Sequence, residues 1–122
     1  MVILKKEAIT ELSNKLFLPI NGSEQDWDVE MADSNRIDEF IDFYKNNKLS
    51  TDEKLAMMSL ILASYDDLLN DNDLLVDSRW DKIRSILEMD KIYFIDLINY
   101  WSLINVVDDD LFKITPLIRK IK

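Results

Sequence analysis

At 122 residues, of which 48% are hydrophobic, the chain has the length of a single domain and enough apolar side chains to bury a core. Its 15 basic and 24 acidic residues give a net charge of −9, which argues against nucleic acid and anionic membranes as partners, because phosphate contacts come from Lys and Arg. Cysteine and histidine are absent, so disulfides, thiolate metal sites and histidine-dependent catalysis are excluded. We expect one domain over residues 1–122 with no cofactor, no bound metal and no enzymatic activity.

The low content of turn residues indicates the fold class. One glycine and two prolines are too few for a sandwich, a barrel or a Rossmann-type fold, all of which need frequent turns or glycine loops. We therefore predict an all-α fold, a compact bundle of about five to seven helices around a central apolar helix near residues 50–69. The N-terminal segment carries charges throughout and no long apolar run follows it, so we expect a cytoplasmic protein.

Apolar periodicity predicts the helices in chain order. The predicted helices cover residues 4–17, 34–46, 50–70, a stretch to residue 89 capped by Asp77 or Ser78, a stretch from residue 90 to 103 or 104, and 111–122, the last with a potential break at residues 115–116. The acidic segment 23–33 is compatible with a short helix or an ordered loop. We expect residues 92–101 to be almost as buried as the central helix. The last segment holds the basic patch of the chain, formed by Lys113, Arg119, Lys120 and Lys122.

The central helix carries the strongest signals. Ser50 and Glu53 have the spacing of a capping box, which predicts the start of the helix. Two apolar stripes follow at three- and four-residue steps, formed by Leu55, Met58, Leu62, Tyr65 and Leu69 and by Met57, Ile61 and Leu68. A helix that is apolar around most of its circumference belongs in the middle of a bundle.

Acidic residues accumulate in three intervals that contain no base. The first interval lies between Lys54 and Arg79, the second between Lys15 and Arg36, and the third between Lys91 and Lys113. The first holds Asp66, Asp67, Asp71, Asp73 and Asp77, and the third ends in Asp108, Asp109 and Asp110. Each interval is either a solvated face with helix caps or part of an electrostatic docking surface for a cationic protein.

Other uses of these acids fit less well. Read as a calcium loop from Asp71, the sequence lacks the turn glycine and the bidentate Glu. No nucleophile motif surrounds the serines or lysines. Most aromatic residues are expected in the core, and the four-residue spacing of Trp27 and Met31 is compatible with both contacting it. Alternatively Trp27, or one of the neighbours Tyr100 and Trp101, is a candidate interface anchor at the surface.

The sequence resembles a family of small acidic helical proteins. The run LSTDEKLAMMSLILASYDDLL, then Trp80 and Ile83, then Tyr100 and Trp101, and the ending LFKITPLIRKI are similar to immunity proteins of bacterial toxin systems, most of all those of contact-dependent growth inhibition. The resemblance implies a cytoplasmic protein that binds a toxin domain, commonly a nuclease, and blocks its active site.

We therefore predict an immunity protein that neutralises a cognate toxin by 1:1 binding through an acidic surface. The predicted toxin-binding residues are Asp66, Asp67, Asp71, Asp73 and Asp77, followed by Asp108, Asp109 and Asp110. Their role would be charge pairing with Lys and Arg of the toxin, with no nucleic acid and no membrane as partner. The alternative is an acidic helical interaction module of another kind, such as a nucleic-acid mimic or a regulatory adaptor.

Overall fold

The computed structural model describes residues 4–19, 26–103 and 111–121. These ranges contain no strand and fold as seven α-helices: α1 (Lys6–Leu16), α2 (Trp27–Glu30), α3 (Ile37–Asn46), α4 (Thr51–Asp71), α5 (Arg79–Met89), α6 (Ile95–Ser102) and α7 (Thr115–Arg119). Two 3-10 turns, Ser34–Arg36 and Lys91–Tyr93, precede α3 and α6. The predicted all-α class is confirmed. None of the helices in these ranges combines the length and apolar character needed to cross a bilayer.

Helix α4 is the centre of the bundle. The predicted capping box is present: Ser50 Oγ accepts the Glu53 N–H at 3.2 Å, and Glu53 Oε1 accepts the Ser50 N–H at 2.9 Å. Every residue from Ala56 to Asp66 is buried, so the helix has no exposed face over three turns. Helices α1, α2 and α3 and both 3-10 turns pack against it.

Helices α6 and α7 form a second packing unit. The Thr115 hydroxyl donates to the carbonyl of Trp101, and the Arg119 guanidinium donates to the carbonyls of Ser102 and Leu103 at 2.7 and 2.8 Å. These carbonyls lie at the C-terminal end of α6, where a helix leaves them without internal partners. Thr115 at the start of α7 and the Arg119 side chain therefore donate hydrogen bonds to the free carbonyls at the end of α6. The helix predicted over residues 111–122 is shorter than expected: α7 begins at Thr115, residues 111–114 are not helical, and Pro116 lies in the first turn of α7.

The prediction for residues 90–103 was partly wrong. The chain forms a 3-10 turn and then, after Phe94 at φ −113°, the two-turn helix α6. Only one apolar stripe at i, i+3, i+4 and i+7 is buried in this segment, and it comprises Phe94, Leu97, Ile98 and Trp101. Ile92, Ile95 and Tyr100 are exposed, because the segment packs on the bundle along one face only.

Trp27 is a core residue, contrary to its proposed place as an exposed anchor. The side chain is 1% exposed, and its Nε1 donates to Ser13 Oγ at 3.0 Å. The hydrogen bond satisfies the indole N–H without solvent and ties α2 to α1. Of the neighbours Tyr100 and Trp101, Tyr100 reaches the surface and Trp101 is buried.

Candidate interaction surface at the end of α4

Asp66 is a structural residue rather than part of an accessible surface. It is 8% exposed, and its Oδ1 accepts the backbone N–H of Ile114 at 3.0 Å. Asn70 Nδ2 donates to the other carboxylate oxygen at 3.3 Å. Burial raises the pKa of Asp66, and the hydrogen bonds from the Ile114 and Lys113 amides partly oppose that rise. The prediction that Asp66 pairs with a partner's cations does not fit this geometry, because Asp66 already holds the segment before α7 against α4.

Asp77 is also engaged within the protein. The Tyr65 hydroxyl donates to Asp77 Oδ1 at 2.9 Å and accepts the Asp77 backbone N–H at 3.0 Å. The Arg79 guanidinium bonds to Asp77 Oδ2 and makes a bidentate contact with Asp38 at 2.9 and 3.1 Å. This network joins α4, α5 and α3, and Asp77 is paired within the protein with Arg79, a cation that it shares with Asp38.

Asp73 ends α4 in a Schellman motif. It adopts a left-handed conformation at φ 51°, while its N–H bonds to the Asn70 carbonyl and the Leu74 N–H bonds to the Leu69 carbonyl at 2.9 Å. Aspartate tolerates this conformation better than most residues other than glycine. The carboxylate points into solvent, with Lys113 Nζ 3.3 Å away. Asp73 is therefore accessible but already has a cationic partner.

Asp67 and Asp71 are exposed, and within the described ranges no Lys or Arg lies within 4 Å of either carboxylate. Asp71 accepts a hydrogen bond from the Ser34 hydroxyl at 2.9 Å. Partial burial and the neighbouring charges of Asp66 and Asp71 raise the pKa of Asp67. Both acids lie near the C-terminal end of α4, where the helix dipole is negative and the last turn holds no base. Their position therefore does not stabilise the helix.

A residue from the second base-free interval joins these two acids. The Asp33 backbone N–H donates to Ser64 Oγ at 3.0 Å, which places Asp33 one turn from Asp67 on the same side of α4. The Asp33 carboxylate accepts the Asn35 N–H. We call Asp33, Asp67 and Asp71 the acidic face. The sequence assigned Asp33 to a different interval, and only the packing of the 3-10 turn on α4 brings it here.

The remaining predicted acids, Asp108, Asp109 and Asp110, lie outside the described residues, so their assignment stays a prediction.

Two members of the C-terminal basic patch are used inside the protein, because Lys113 pairs with Asp73 and Arg119 binds the α6 carbonyls. Sequence reasoning missed a cluster of lysines at the other end of α4, although Lys45, Lys48 and Lys54 flank the start of that helix in the sequence.

No chemistry beyond charge is apparent at the acidic face. Across residues 4–19, 26–103 and 111–121, no group of three or more acids is close enough together to hold a metal ion.

Comparison with protein families, with curated proteins and with solved structures finds no match for this chain. The resemblance to immunity proteins therefore stays a prediction from the sequence pattern, and the acidic face is the feature from which a function can be inferred.

Proposed function

We propose that this chain is an immunity protein that binds a cationic toxin domain of the nuclease type, 1:1, and covers its active site with the acidic face. In this proposal it is a stoichiometric inhibitor and not an enzyme, and it acts in the cytoplasm of the toxin-producing cell. The observation that carries the proposal is the position of Asp67 and Asp71, which are exposed, unpaired with any described cation, and at the end of α4 where the helix dipole disfavours them.

The energetics of the helix end oppose a purely structural role for these two acids. A carboxylate in the last turn of a helix, the position of Asp71, is disfavoured by about 0.3–1 kcal/mol, whereas a lysine there is favoured by a similar amount; Asp67 lies one turn earlier, where the effect is weaker. Asp67 and Asp71 also repel each other, which contributes to the raised pKa of Asp67. Residues that lower the stability of the fold in this way are typical of binding surfaces.

A nuclease is a suitable partner because its active site must attract phosphates and is therefore cationic. An acidic surface accelerates diffusional encounter with such a site and disfavours like-charged partners. Hydrogen bonds hold two of the three acids in place, since Ser64 Oγ accepts the Asp33 backbone N–H and the Ser34 hydroxyl donates to Asp71. Rigid presentation lowers the conformational entropy lost on binding.

The test uses the C-terminal domain of the protein encoded immediately upstream of this chain as the toxin, with nuclease activity and association rate as readouts. We expect the wild-type chain to inhibit at a 1:1 ratio. The double variant Asp67→Lys/Asp71→Lys is expected to associate at least about tenfold more slowly at low salt, with a flatter salt dependence.

The matched control is Asp42→Lys/Asp96→Lys, which makes the same charge change at two exposed acids on α3 and α6. Its association rate should fall by much less than that of the first variant. Because Lys is favoured at the end of a helix, which offsets loss of the exposed Ser34–Asp71 hydrogen bond, Asp67→Lys/Asp71→Lys should be within about 1 kcal/mol of wild-type stability, which separates lost binding from lost folding. Equal effects of the two variants, or no inhibition by wild type, would refute the proposal. Inhibition of unrelated DNA-binding proteins instead would favour the nucleic-acid mimic.

A further inference from the structure

A groove of about 570 Å³ lies at the N-terminal end of α4, remote from the acidic face. Its walls are the end of α3, the connection to α4, the first turn of α4 and the end of α5. Since α4 has 21 residues, its two ends are about 30 Å apart at 1.5 Å per residue. The groove and the acidic face are therefore separate sites on the protein.

The floor of the groove is preformed. Leu49 and Ile86 are buried core residues, and the Tyr44 hydroxyl donates to Asp90 Oδ2 at 2.8 Å. Lys54 Nζ lies 3.6 Å from the same Asp90 oxygen. These contacts join α3, α4 and the end of α5, so the walls are fixed by packing and by a hydrogen-bonded ion pair.

The rim of the groove is cationic in a protein of net charge −9. Lys45 and Lys48 line it together with Lys54, whereas Asp90 is the acid of the lining and already pairs with Lys54. Among the described residues, no carboxylate lies within 4 Å of the Lys45 or Lys48 ammonium. Two unpaired lysines therefore remain for an anionic group.

Exposed apolar side chains continue from the groove. Met89 lines the groove and is 78% exposed, and Ile92 is 76% exposed. The exposed ring of Tyr93 adjoins the groove through Lys54, whose Nζ is 5.3 Å from the ring centroid. Adjacent exposed apolar residues of this kind mark interaction sites in soluble proteins.

We propose that the groove docks a polypeptide segment of a partner protein that combines a large apolar side chain with flanking carboxylates. The apolar side chain lies on the floor formed by Leu49 and Ile86 and is covered by Met89, while the carboxylates pair with Lys45 and Lys48. The occupant is a polypeptide rather than a small anion because the exposed apolar surface of Met89, and of Tyr93 beside Lys54, extends beyond the lysines that would hold an anion. A polypeptide covers both surfaces, whereas a small anion leaves the apolar residues in water.

The experiment uses the full chain and a fluorescein-labelled peptide in which one Phe and one Leu are flanked by glutamates. Fluorescence anisotropy should give a dissociation constant of about 10–100 μM at low salt, weakening as salt is added. Two control peptides, one with lysines for the glutamates and one with serines for Phe and Leu, should bind at least about tenfold more weakly.

The protein variants locate the site. Lys45→Glu/Lys48→Glu and, separately, Met89→Asp should each lower the affinity by about tenfold or more. All three residues are exposed, so both variants should retain the wild-type circular dichroism spectrum. The matched control is Lys5→Glu/Lys6→Glu on the exposed start of α1, which makes the same charge change and should alter affinity by less than about threefold.

Several results would overturn the proposal. A dissociation constant above about 1 mM, or equal affinities of the two lysine double variants, would exclude the groove as a peptide site. Binding of inorganic phosphate that depends on Lys45 and Lys48, without peptide binding, would make the occupant a small anion. If sedimentation detects self-association that Lys45→Glu/Lys48→Glu removes, the occupant is a second copy of this chain. None of these results depends on the acidic face, so the two proposals fail independently.

Discussion

Replacing Asp66 tests the contact that joins α4 to the C-terminal segment. In Asp66→Ala, the backbone N–H of Ile114, a residue with no exposed surface, loses its acceptor at 3.0 Å. A buried donor without a partner costs about 1–3 kcal/mol, and the hydrogen bond from Asn70 adds little because Asn70 is exposed. Removing a carboxylate whose burial is itself unfavourable offsets part of this, so we expect a loss of about 2 kcal/mol, or roughly 8 °C in the melting temperature.

Asp66→Asn removes the charge of the side chain but keeps an oxygen that can accept the hydrogen bond. The amide oxygen can still accept the Ile114 N–H, so the variant should unfold within about 1 kcal/mol of wild type. The measurements are urea unfolding followed by circular dichroism, and hydrogen exchange at the Ile114 amide. Exchange at Ile114 should be faster in Asp66→Ala but not in Asp66→Asn. An equal loss of stability in the two variants, or a loss below about 0.5 kcal/mol in Asp66→Ala, would refute the reasoning.

The pH dependence of stability in wild type and Asp66→Asn tests the role of Asp66 a second time. Because burial raises the pKa of Asp66, the folded protein binds this proton more tightly than the unfolded chain does. The contribution of Asp66 to stability therefore falls as pH rises above the unfolded pKa of about 3.9, until the folded pKa is passed. Asp66→Asn does not ionise, so its stability relative to wild type should increase from acidic to neutral pH. A constant difference would contradict this assignment.

Two further substitutions test the end of α1 and the Tyr65 hydrogen bonds. Phe17 is 89% exposed at φ 57°, so Phe17→Gly should stabilise the protein by about 1 kcal/mol in urea unfolding, whereas the control Phe17→Ala keeps a Cβ in the left-handed conformation and should gain less. Tyr65→Phe removes both hydrogen bonds to Asp77 and should cost about 1–2 kcal/mol in the same assay. Burial and Asp77 raise the pKa of Tyr65 to about 12, so above the unfolded tyrosine pKa of about 10 wild type should lose stability more steeply with pH than Tyr65→Phe. Parallel pH profiles of these two proteins, or a Phe17→Gly variant no more stable than Phe17→Ala, would contradict these expectations.

The central helix was predictable because its signals are local. A capping box fixes the start of α4, and apolar residues at three- and four-residue steps place it in the core, whatever surrounds it. The same periodicity contained a clue to Asp66, which follows Leu62 by four residues and so continues the buried stripe. We nevertheless predicted Asp66 to bind a partner because it is acidic. The backbone amide of Ile114 that bonds to its carboxylate lies 48 residues away in the sequence, so the pattern around Asp66 does not reveal it.

The features that sequence did not reveal depend on packing between distant segments. Trp27 is flanked by acids, and only the approach of Ser13 on α1 explains how its indole is satisfied in the core. The acidic face needs Asp33 next to α4, and the cationic groove needs the end of α5 next to the α3–α4 connection. Periodicity indicates which way a side chain points from its own helix, but not which segment covers it.

The burial of Asp66 beside Ile114 also makes docking of the C-terminal segment a proton-linked step. While residues 111–121 are undocked, Asp66 faces water and ionises at its ordinary pKa, and docking raises that pKa by burial. Docking is therefore accompanied by proton uptake in the pH range between the two values, and a rise in pH across that range favours the undocked state. Because its two partners are 48 residues apart in the sequence, this contact is non-local and forms only at the entropic cost of closing a long loop.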